Sequence, residues 1–394
     1  MTPGHGHLKV LLLGNYANDK VQSMQRFADT LRRELPRHGI QVESIRPEPL
    51  FGKLKPAATG MGKWLGYIDK FIVFPFVLRK KLGAMTPPFV VHICDHSNAH
   101  YVHFVDRVPH LVTCNDLLAI RSARGEIPWH RTSRTGKGLQ RLILRGLKRA
   151  RRFTCISEAT RKDLLRITQA DPERVSVTYM GQNHPYSAMD RREAATRLRA
   201  ILPNADLSRF ILHVGSNDWY KNRLGVIRIY HALTGIMPGA PALVMAGKPF
   251  TAEMTALVES AGLRERVFSL VDVSNEELRA LYSAANLLLF PSLAEGFGWP
   301  IIEAQACGCR VVTSGRAPMT EVGGDAAIYV DPENEPEAAQ TTREVLRQDP
   351  VQETEWIAKG LENASRFPTE RMVLDYVRIY RELAGLKTAQ FAPV

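Results

Sequence analysis

The sequence is poor in the features that mark secreted and membrane-spanning proteins. Its 394 residues include only five cysteines, and no stretch approaches eighteen uninterrupted apolar residues. The first nine residues lack the charged and then apolar layout of a secretory signal peptide. Cys307 and Cys309 have no further Cys or His near them in sequence that would complete a zinc site. We therefore expect five reduced cysteines and a cytoplasmic protein, which can also lie at the inner face of the membrane.

Positive charge is concentrated in the first half of the chain. The net charge is +12, but residues 1–200 hold 34 Lys and Arg against 16 Asp and Glu, whereas the remainder holds 18 against 24. This asymmetry indicates an anionic partner for the first half, such as a membrane surface, a phosphate-bearing lipid or nucleic acid; a solvated basic surface explains it equally well. Because the basic residues are dispersed and form no recognisable nucleic-acid-binding motif, we expect no nucleic acid partner. Nothing in the sequence predicts an oligomeric state.

Two successive series of alternating strand-like and helix-like segments divide the chain. A chain of this length is expected to form two domains, and short apolar runs separated by helices are typical of parallel sheets buried on both faces. The pattern weakens between residues 181 and 208. We therefore predict an α/β protein with two Rossmann-like domains facing across a cleft and a C-terminal helix, at 1–190, 205–366 and 367–394. The predicted strands are 10–13, 42–45, 89–93, 111–114, 153–156 and 175–179, followed by 210–214, 242–246, 267–270, 287–290 and 310–313.

The segment 295–304 is the most informative in the chain, with the sequence Glu-Gly-Phe-Gly-Trp-Pro-Ile-Ile-Glu-Ala. A strand is predicted to end just before it, and Pro300 stands where the first turn of a helix accepts proline. The helix N-terminus is a favourable place for a diphosphate, which would be bound by the amides of Gly296, Phe297 and Gly298. Glu303, one turn into the helix, is suited to the two hydroxyls of a ribose, and Glu295 to hydroxyls of a transferred sugar.

This segment resembles the signature of the retaining glycosyltransferases of family four, which have the GT-B fold and include many bacterial mannosyl- and glucosyltransferases. The similarity covers residues 208–335 well and the N-terminal half only loosely. The resemblance implies that Glu303 binds the ribose and that Glu295 contacts the sugar and helps to stabilise developing charge. It also implies that the amides of 296–298 hold the diphosphate and that the last helix, about 369–383, crosses back onto the N-terminal domain.

A second segment, 213–222, resembles the family's loop whose lysine neutralises the diphosphate, and Lys221 fits that role. Gly215 and Ser216 lie in the same loop and are expected to line the donor site. The family often supplies an arginine there as well, whereas this chain has Ser216 and Tyr220, so Arg223 is a substitute candidate. Because no Asp-x-Asp pair is present to carry a divalent metal, we expect no metal and no cofactor, with a GDP- or UDP-sugar as substrate.

Asn115 stands where many relatives carry a histidine that reaches the transferred sugar, in the segment 112–117. An asparagine forms hydrogen bonds but does not titrate, so we assign Asn115 to positioning of the sugar rather than to proton transfer. Four histidines lie nearby in sequence. His96 or His100 is a further candidate for the site, although a lone histidine is more often structural.

The resemblance implies transfer of a hexose, with mannose as the first guess, with retention at the anomeric carbon. The segment 63–82 combines aromatic and aliphatic residues with five Lys and Arg, a composition that suits a membrane headgroup region as well as a buried helix. Together with the basic first half, it favours a lipid-linked or oligosaccharide acceptor and peripheral contact with the membrane. The alternatives are a nucleotide-sugar epimerase or soluble-disaccharide synthase of the same fold, and a basic nucleic-acid- or membrane-binding protein without catalysis.

Overall fold

A computed structural model describes residues 8–19, 22–54, 60–202 and 209–386, and the chain divides into two units. Unit 1 consists of the residues up to 179 together with those from 369 onwards, and unit 2 consists of residues 180–368. Each unit contains a six-stranded sheet. In the described part of the chain, no helix has both the length and the apolar character that crossing a bilayer requires.

The sheet of unit 1 is parallel throughout. Its strands are β1 (Lys9–Leu13), β2 (Gln41–Ile45), β3 (Phe89–Ile93), β4 (His110–Cys114), β5 (Arg152–Cys155) and β6 (Val175–Val177). They lie in the order β2-β1-β3-β4-β5-β6, and each neighbouring pair is parallel. Every position of β3 and β4 is buried, as expected for strands that are covered by helices on both faces.

The crossovers of unit 1 are helical. Its helices are α1 (Gln22–Glu34), α2 (Gly60–Ile68), α3 (Phe74–Gly83), α4 (Val102–Val105), α5 (Leu118–Ala123), α6 (Arg134–Arg149) and α7 (Glu158–Thr168). A π-helical segment, Asp69–Val73, joins α2 directly to α3, so residues 60–83 form one continuous helical stretch. The side chain of Ser157 caps α7 by accepting a hydrogen bond from the amide of Thr160, as its position before the helix predicts.

Unit 2 repeats the architecture. Its strands are β7 (Phe210–Gly215), β8 (Ala242–Gly247), β9 (Val267–Val271), β10 (Leu287–Phe290), β11 (Val311–Ser314) and β12 (Ile328–Val330). Their order is β12-β11-β10-β7-β8-β9, again with parallel neighbours. The helices are α8 (Arg191–Ile201), α9 (Arg223–Ile236), α10 (Ala252–Ser260), α11 (Asn275–Ala284), α12 (Trp299–Ala306), α13 (Met319–Gly323), α14 (Glu335–Leu346) and α15 (Pro350–Ser365).

The C-terminal helix belongs to unit 1, although the preceding 189 residues form unit 2. This helix, α16 (Thr369–Leu383), buries two tyrosines against the sheet of unit 1. The hydroxyl of Tyr380 lies 2.7 Å from Nδ1 of His92 on β3, and that of Tyr376 lies 2.9 Å from the hydroxyl of Thr113 on β4. The Nε2 atom of His92 contacts the same threonine at 2.8 Å, so a continuous polar network fixes the helix to two strands.

The predicted α/β fold with two Rossmann-like domains and a returning C-terminal helix is confirmed. The division between the units falls after residue 179, earlier in the chain than the predicted junction, because residues that follow it bond within unit 2. The carbonyl of Gly181 accepts a hydrogen bond from Trp299, and Asn183 donates to Glu303. Residues 203–208 of the predicted junction and 387–394 of the C-terminal segment lie outside the described residues.

Candidate functional site

The predicted donor-site residues of unit 2 follow two adjacent strands, β7 and β10. The strand order places β8 on one side of β7 and β10 on the other, so the direction of winding changes between β7 and β10. In open parallel sheets, ligands bind at the carboxyl ends of the strands beside such a switch point. The loop 215–222 follows β7 and the segment 291–298 follows β10, and both therefore lie at this position.

An ion pair joins the two segments. The Nζ atom of Lys221 lies 2.8 Å and 3.0 Å from the two carboxylate oxygens of Glu295, and it also lies 5.2 Å from the ring centroid of Phe290. The side chains are only 16% and 7% exposed. Because both side chains are so little exposed to solvent, the carboxylate and the ammonium group hold each other in a defined position. Separating them would leave two poorly solvated charges. The structure thus brings together the two residues that were predicted to act on the diphosphate and the sugar.

The turn after Glu295 leads directly into α12. Gly298 has a φ of +106°, a left-handed conformation that residues with a side chain rarely adopt, and α12 begins at the next residue with Pro300 in its first turn. Trp299 fixes the start of the helix by donating a hydrogen bond from Nε1 to the carbonyl of Gly181 at 2.9 Å. Phe297 is buried. The predicted strand–turn–helix arrangement is therefore present, with a helix N-terminus where a diphosphate was expected.

Glu303 is buried in α12, and its carboxylate is oriented by two other side chains. Oε1 accepts a hydrogen bond from Nδ2 of Asn183 at 3.0 Å, and Oε2 accepts one from the hydroxyl of Tyr282 at 2.9 Å. Burial and the neighbouring carboxylate raise the pKa of Tyr282 well above its ordinary value, so this hydroxyl is a permanent donor. The two oxygens of this carboxylate are therefore held in fixed positions.

Asn183 and Tyr282 were not predicted from the sequence. They lie 120 and 21 residues from Glu303 along the chain, and neither belongs to a recognisable motif. Only the fold reveals their contact with its carboxylate.

Gly215 and Ser216 occupy the tight start of the loop after β7. A Cβ atom on Gly215 would lie 3.0 Å from Nε2 of His213 and 3.4 Å from Cβ of Lys221, so the glycine allows the lysine stem to lie against the backbone. Ser216 directs its hydroxyl to the carboxylate of Asp218. Burial, with a smaller effect of two nearby cations, lowers the pKa of His213 to about 3, so this ring is neutral.

Arg223 is buried at the start of α9 and connects two loops. Its NH1 group donates to the side chain of Asn217 and, at 2.7 Å, to the carbonyl of Lys248. Its Nε and NH2 atoms have no hydrogen-bond partner among the described residues. The structure therefore places the arginine beside the loop 215–222, where it holds the ends of β7 and β8 together.

Asn115 lies in unit 1 and therefore not in the same unit as the other predicted residues. It follows β4, is 5% exposed, and bonds to Asp95, which follows β3. His96 contacts the same carboxylate. The second candidate, His100, lies between the rings of Phe71 and Tyr101, and burial lowers its pKa to about 4. Of the two histidines, only His96 is therefore placed with Asn115.

The described residues contain no group of three or more His, Cys, Asp or Glu side chains that could hold a metal ion. All five cysteines are free and buried. Burial raises the pKa of the Cys307 thiol to about 12.

Comparisons with curated proteins find relatives of low identity. The chain is 26% identical over 247 residues to the O-antigen chain mannosyltransferase B of Escherichia coli, a match that covers 62% of this chain and 64% of the relative. It is 28% identical over 252 residues to the D-inositol 3-phosphate glycosyltransferase of Mycolicibacterium smegmatis, covering 62% of this chain and 56% of the relative. The chain thus matches less than two thirds of the length of either protein.

Among solved structures, the fold resembles two proteins over almost the whole of each solved chain. It matches the sucrose-phosphate synthase of Thermosynechococcus elongatus with a TM-score of 0.76 at 19% identity, covering 96% of this chain and 99% of that one. It matches Anabaena HepE, solved in complex with UDP and glucose, with a TM-score of 0.70 at 19% identity, covering 95% and 100%. At these identities the matches show the fold alone.

Two family models match the sequence itself. The model described as Glycosyltransferase Family 4 matches residues 24–184, which lie almost entirely in unit 1, and the model described as Glycosyl transferases group 1 matches residues 195–361 in unit 2. Together they account for more than four fifths of the chain. With the two parallel sheets and the fixed carboxylates of unit 2, they show that the chain belongs to the family 4 glycosyltransferases.

Proposed function

We propose that this protein transfers a hexose, with retention at the anomeric carbon, from a nucleoside diphosphate sugar to a hydroxyl of a lipid-linked or oligosaccharide acceptor. GDP-mannose is the first candidate donor and UDP-glucose the second. The observation that carries the proposal is the Lys221–Glu295 ion pair at the switch point of unit 2. The lysine supplies a fixed positive charge for the diphosphate, and the glutamate supplies an acceptor for sugar hydroxyls.

The proposed chemistry depends on fixed charges rather than on an enzymic nucleophile. As the bond to the sugar breaks, negative charge accumulates on the diphosphate, and Lys221 and the N-terminus of α12 stabilise it. Glu303, held by Asn183 and Tyr282, binds the ribose hydroxyls and so sets the position of the nucleotide. A leaving-phosphate oxygen then takes the proton of the acceptor hydroxyl on the same face of the sugar. Without a resident metal, this mechanism requires the lysine and the helix N-terminus to do all the charge neutralisation.

The donor is tested first by thermal shift with GDP-mannose, UDP-glucose and ADP-glucose, with and without a chelator. We expect one of them to raise the melting temperature, with no effect of the chelator. Transfer to n-octyl α-mannoside and n-octyl β-glucoside is then followed by mass spectrometry, and the anomeric configuration of the product by NMR. An inverted product would disprove retention, and an epimerised donor without any transfer would identify the protein as an epimerase.

Unit 1 carries an exposed apolar surface that supports a membrane-bound acceptor. The helical stretch 60–83 buries Phe74 and Leu78, yet it leaves Trp64 and Phe76 61% and 68% exposed. The loop before it is fixed by Asp69, whose buried carboxylate accepts hydrogen bonds from the amides of residues 51 and 52 at 3.0 Å each. The loop and the helical stretch together expose seven large apolar side chains, which we call the apolar patch: Leu50, Phe51, Leu54, Trp64, Ile72, Phe76 and Val77.

A row of positive charge runs along a second helix of the same unit. Helix α6 contains no acidic residue, and its outward side chains include six exposed cations, none of which forms an ion pair with a described carboxylate. Five recur every three or four residues and the sixth is adjacent to the fifth; they are Arg134, Lys137, Arg141, Arg145, Lys148 and Arg149. Both α3 and α6 contact α4, because Arg79 stacks on Phe104 and Arg149 contacts His103. The basic row was not predicted from the sequence, and it supports contact between unit 1 and anionic lipid headgroups.

Membrane contact is tested by sedimentation with vesicles of phosphatidylglycerol and phosphatidylcholine in varied ratio. Phe76→Ser should weaken binding roughly tenfold, since an exposed phenylalanine contributes about 1.5–3 kcal/mol when it enters the lipid. Arg141→Glu with Arg145→Glu removes two positive charges and adds two negative ones, so at low salt it should weaken binding by more than about 2 kcal/mol, or roughly 30-fold, at about 1 kcal/mol for each charge near the surface. Val351→Ser in unit 2, which removes an apolar side chain that is 68% exposed, is the matched control and should have no effect. No binding of the wild-type protein to anionic vesicles would contradict the proposal and favour a soluble acceptor.

A further inference from the structure

Asn222 joins the loop that carries Lys221 to helix α9, and its backbone has a left-handed conformation. It ends one turn of 3₁₀ helix, Trp219–Lys221, and α9 begins at the next residue. Its φ is +54° and its ψ is 36°. Asparagine and glycine adopt this conformation more readily than other residues do. The backbone therefore restricts the residue type at this position, but it does not explain the choice of asparagine over glycine.

The side chain of Asn222 does not cap the helix that follows it. An asparagine at a helix N-terminus commonly accepts a hydrogen bond from an amide of the first turn, and Asn222 makes no such bond. Its Nδ2 atom instead donates to the carbonyl of Pro291 at 3.0 Å and to that of Pro332 at 3.1 Å. Pro291 follows β10 directly, and Pro332 is the second residue after β12. One side-chain amide thus ties the loop after β7 to the ends of two other strands of the same sheet.

A backbone hydrogen bond joins the same two segments on the other side of Lys221. The amide of Leu293 donates to the carbonyl of Tyr220 at 2.8 Å. Tyr220 precedes Lys221 directly, and Leu293 lies two residues before Glu295. The lysine is therefore flanked by two attachments to the segment after β10, one from Tyr220 and one from Asn222. Both attachments hold the stem of Lys221 on the side of the carboxylate with which it pairs.

A glycine in α9 leaves room for the asparagine. Gly225 lies in the first turn of the helix, and a Cβ atom there would overlap the side-chain amide of Asn222, three atoms of which would lie within 2.6 Å of it. A glycine within a helix is less favourable than an alanine, because it loses more backbone entropy on folding. The space that the side chain of Asn222 occupies explains why this position nevertheless has no side chain.

We propose that Asn222 is a positioning residue, which holds Lys221 opposite Glu295 through its left-handed backbone and its two bonds to strand-end carbonyls. The inference rests on the proposed function, because it takes Lys221 to be the cation that binds the diphosphate. Asn222 acts through the lysine and not on the substrate. A long side chain that is ordered before the donor arrives does not have to be ordered on binding, and the affinity is higher by that saved entropy.

The first test measures the lysine directly and needs no ligand. In protein labelled with carbon-13 at lysine Cε, the Lys221 signal is assigned through Lys221→Met, and its order parameter is obtained from NMR relaxation. We expect a rigid side chain in wild type and a more mobile one in Asn222→Gly, because glycine keeps the left-handed backbone but loses both side-chain bonds. A lysine that is as rigid in Asn222→Gly as in wild type would overturn the inference.

The matched control for this variant is Gln169→Gly. Gln169 also has a positive φ, of +59°, and its Nε2 atom also donates to a backbone carbonyl, that of Arg166 at 2.7 Å. It lies at the end of α7 in unit 1. The substitution therefore removes the same kind of contact from the same kind of backbone, and it should leave both the Lys221 signal and the nucleotide affinity as in wild type.

The second test asks whether Asn222 acts through the lysine or only on the fold. Calorimetry gives the affinity for UDP and GDP of Asn222→Gly, of Lys221→Met and of the double variant, and urea unfolding verifies that each is folded. We expect Asn222→Gly to lower the affinity about 2- to 10-fold, the effect of ordering one long side chain on binding. It should have no further effect when Lys221 is already replaced. An equal loss in both backgrounds would show a general structural role and contradict the inference.

Gly225→Ala displaces the asparagine without removing it, so it also covers the case in which Asn222→Gly does not fold. Alanine favours the helix, but its Cβ atom pushes the side chain of Asn222 out of place. We expect the same mobile lysine and the same loss of affinity as in Asn222→Gly. In the double variant Asn222→Gly/Gly225→Ala the alanine should add no loss, since the side chain that it displaces is absent. A loss that the alanine causes equally with and without Asn222 would refute the proposed contact.

These measurements keep the inference distinct from the proposed function. If Lys221→Met weakens binding of UDP or GDP whereas Asn222→Gly and Gly225→Ala do not, the lysine binds the diphosphate without help from Asn222, and only the inference is wrong. If Lys221→Met binds both nucleotides as tightly as wild type, the proposed role of the lysine fails and the inference fails with it. If the lysine and Asn222 behave as expected but no donor and acceptor pair gives transfer, the proposed reaction is wrong and the positioning role stands.

Discussion

The geometry of the Lys221–Glu295 ion pair predicts that one substitution has opposite effects on nucleotide affinity and on the rate of sugar transfer. Glu295→Gln should bind the nucleoside diphosphate alone more tightly than wild type, and yet transfer the sugar more slowly. In the absence of donor, the carboxylate neutralises the lysine, with both oxygens within 3.0 Å of Nζ. A diphosphate must share the lysine with Glu295 and also approach that negative charge. A glutamine keeps one hydrogen bond to Lys221 but removes both electrostatic obstacles.

The size of the effect follows from distance and burial. At 2.8 Å and an effective dielectric constant of about 20, the Coulomb attraction of the pair is roughly 6 kcal/mol, most of which is offset by the cost of removing the two charges from water. Close, partly buried charge pairs show measured couplings from about 1.5 kcal/mol upward. We therefore expect a gain of about 1.4 kcal/mol, or tenfold, in the affinity for UDP or GDP. Turnover should fall roughly 100-fold, since a charged group that acts on the reacting sugar is lost.

The assay compares the nucleoside diphosphate with the complete nucleotide sugar by calorimetry. The gain in affinity of Glu295→Gln over wild type should be smaller for the nucleotide sugar than for the nucleoside diphosphate, because the contact between residue 295 and the sugar is weakened. Lys221→Met should weaken both ligands and also lower the free energy of unfolding, since Glu295 is then left with an unpaired, poorly solvated charge. The double variant Lys221→Met/Glu295→Gln should recover the stability but not the affinity. Weaker binding of UDP and GDP by Glu295→Gln would refute the reasoning, because it would show that the carboxylate supports the diphosphate site.

Three further predictions concern buried polar groups. Glu303→Gln should lower nucleotide affinity by about 10- to 100-fold, with little change in the free energy of unfolding, because a glutamine can still bond to Tyr282; calorimetry and urea unfolding measure the two effects. Tyr380→Phe should lower the free energy of unfolding by about 1–3 kcal/mol, because Nδ1 of His92 loses its partner, while nucleotide binding by unit 2 stays unchanged. Burial lowers the pKa of His92 and of His213 to about 3, below the value of about 6.5 in an unfolded chain. The unfolded chain therefore takes up protons first as the pH falls. Urea unfolding should show the full free energy of unfolding above pH 6.5 and a loss of roughly 2 kcal/mol per histidine at pH 5. A free energy of unfolding that does not change between pH 7 and pH 5 would contradict the assignment of both rings as neutral.

Much of the fold was predictable because its signals are local. The strands β3 and β10 were predicted with the bounds that the structure shows, since parallel strands buried on both faces appear as short continuous apolar runs. The C-terminal helix was likewise predicted at 369–383. The edge strand β12 was not, because three residues, two of them only half-buried, make too short a run to recognise. Helix α6 was overlooked despite its amphipathic pattern, and with it the basic row on its outer face.

For the candidate site as well, local features could be predicted from the sequence and long-range contacts could not. The spacing of Glu295 and Glu303 around a glycine turn is a local pattern, so their placement at a strand end and in the following helix could be predicted. The contacts that orient these groups connect distant parts of the chain, as with Asn183 and Glu303. Asp95 was not singled out because an aspartate after a strand is common, and only the sheet order shows that it lies between the ends of β1 and β4.

The ion pair at the switch point of unit 2 meets an electrostatic requirement of a binding site. A site that binds a polar substrate needs charged groups in fixed positions, but a single charge with little access to water is unfavourable. Unit 2 pairs Lys221 with Glu295, so a cation and a carboxylate hold each other there without substrate. A substrate then exchanges contacts with a group that is already oriented, which lowers the entropic cost of binding. Removing one member of this pair should therefore harm stability more than neutralising both, whereas binding should depend on the member that faces the ligand.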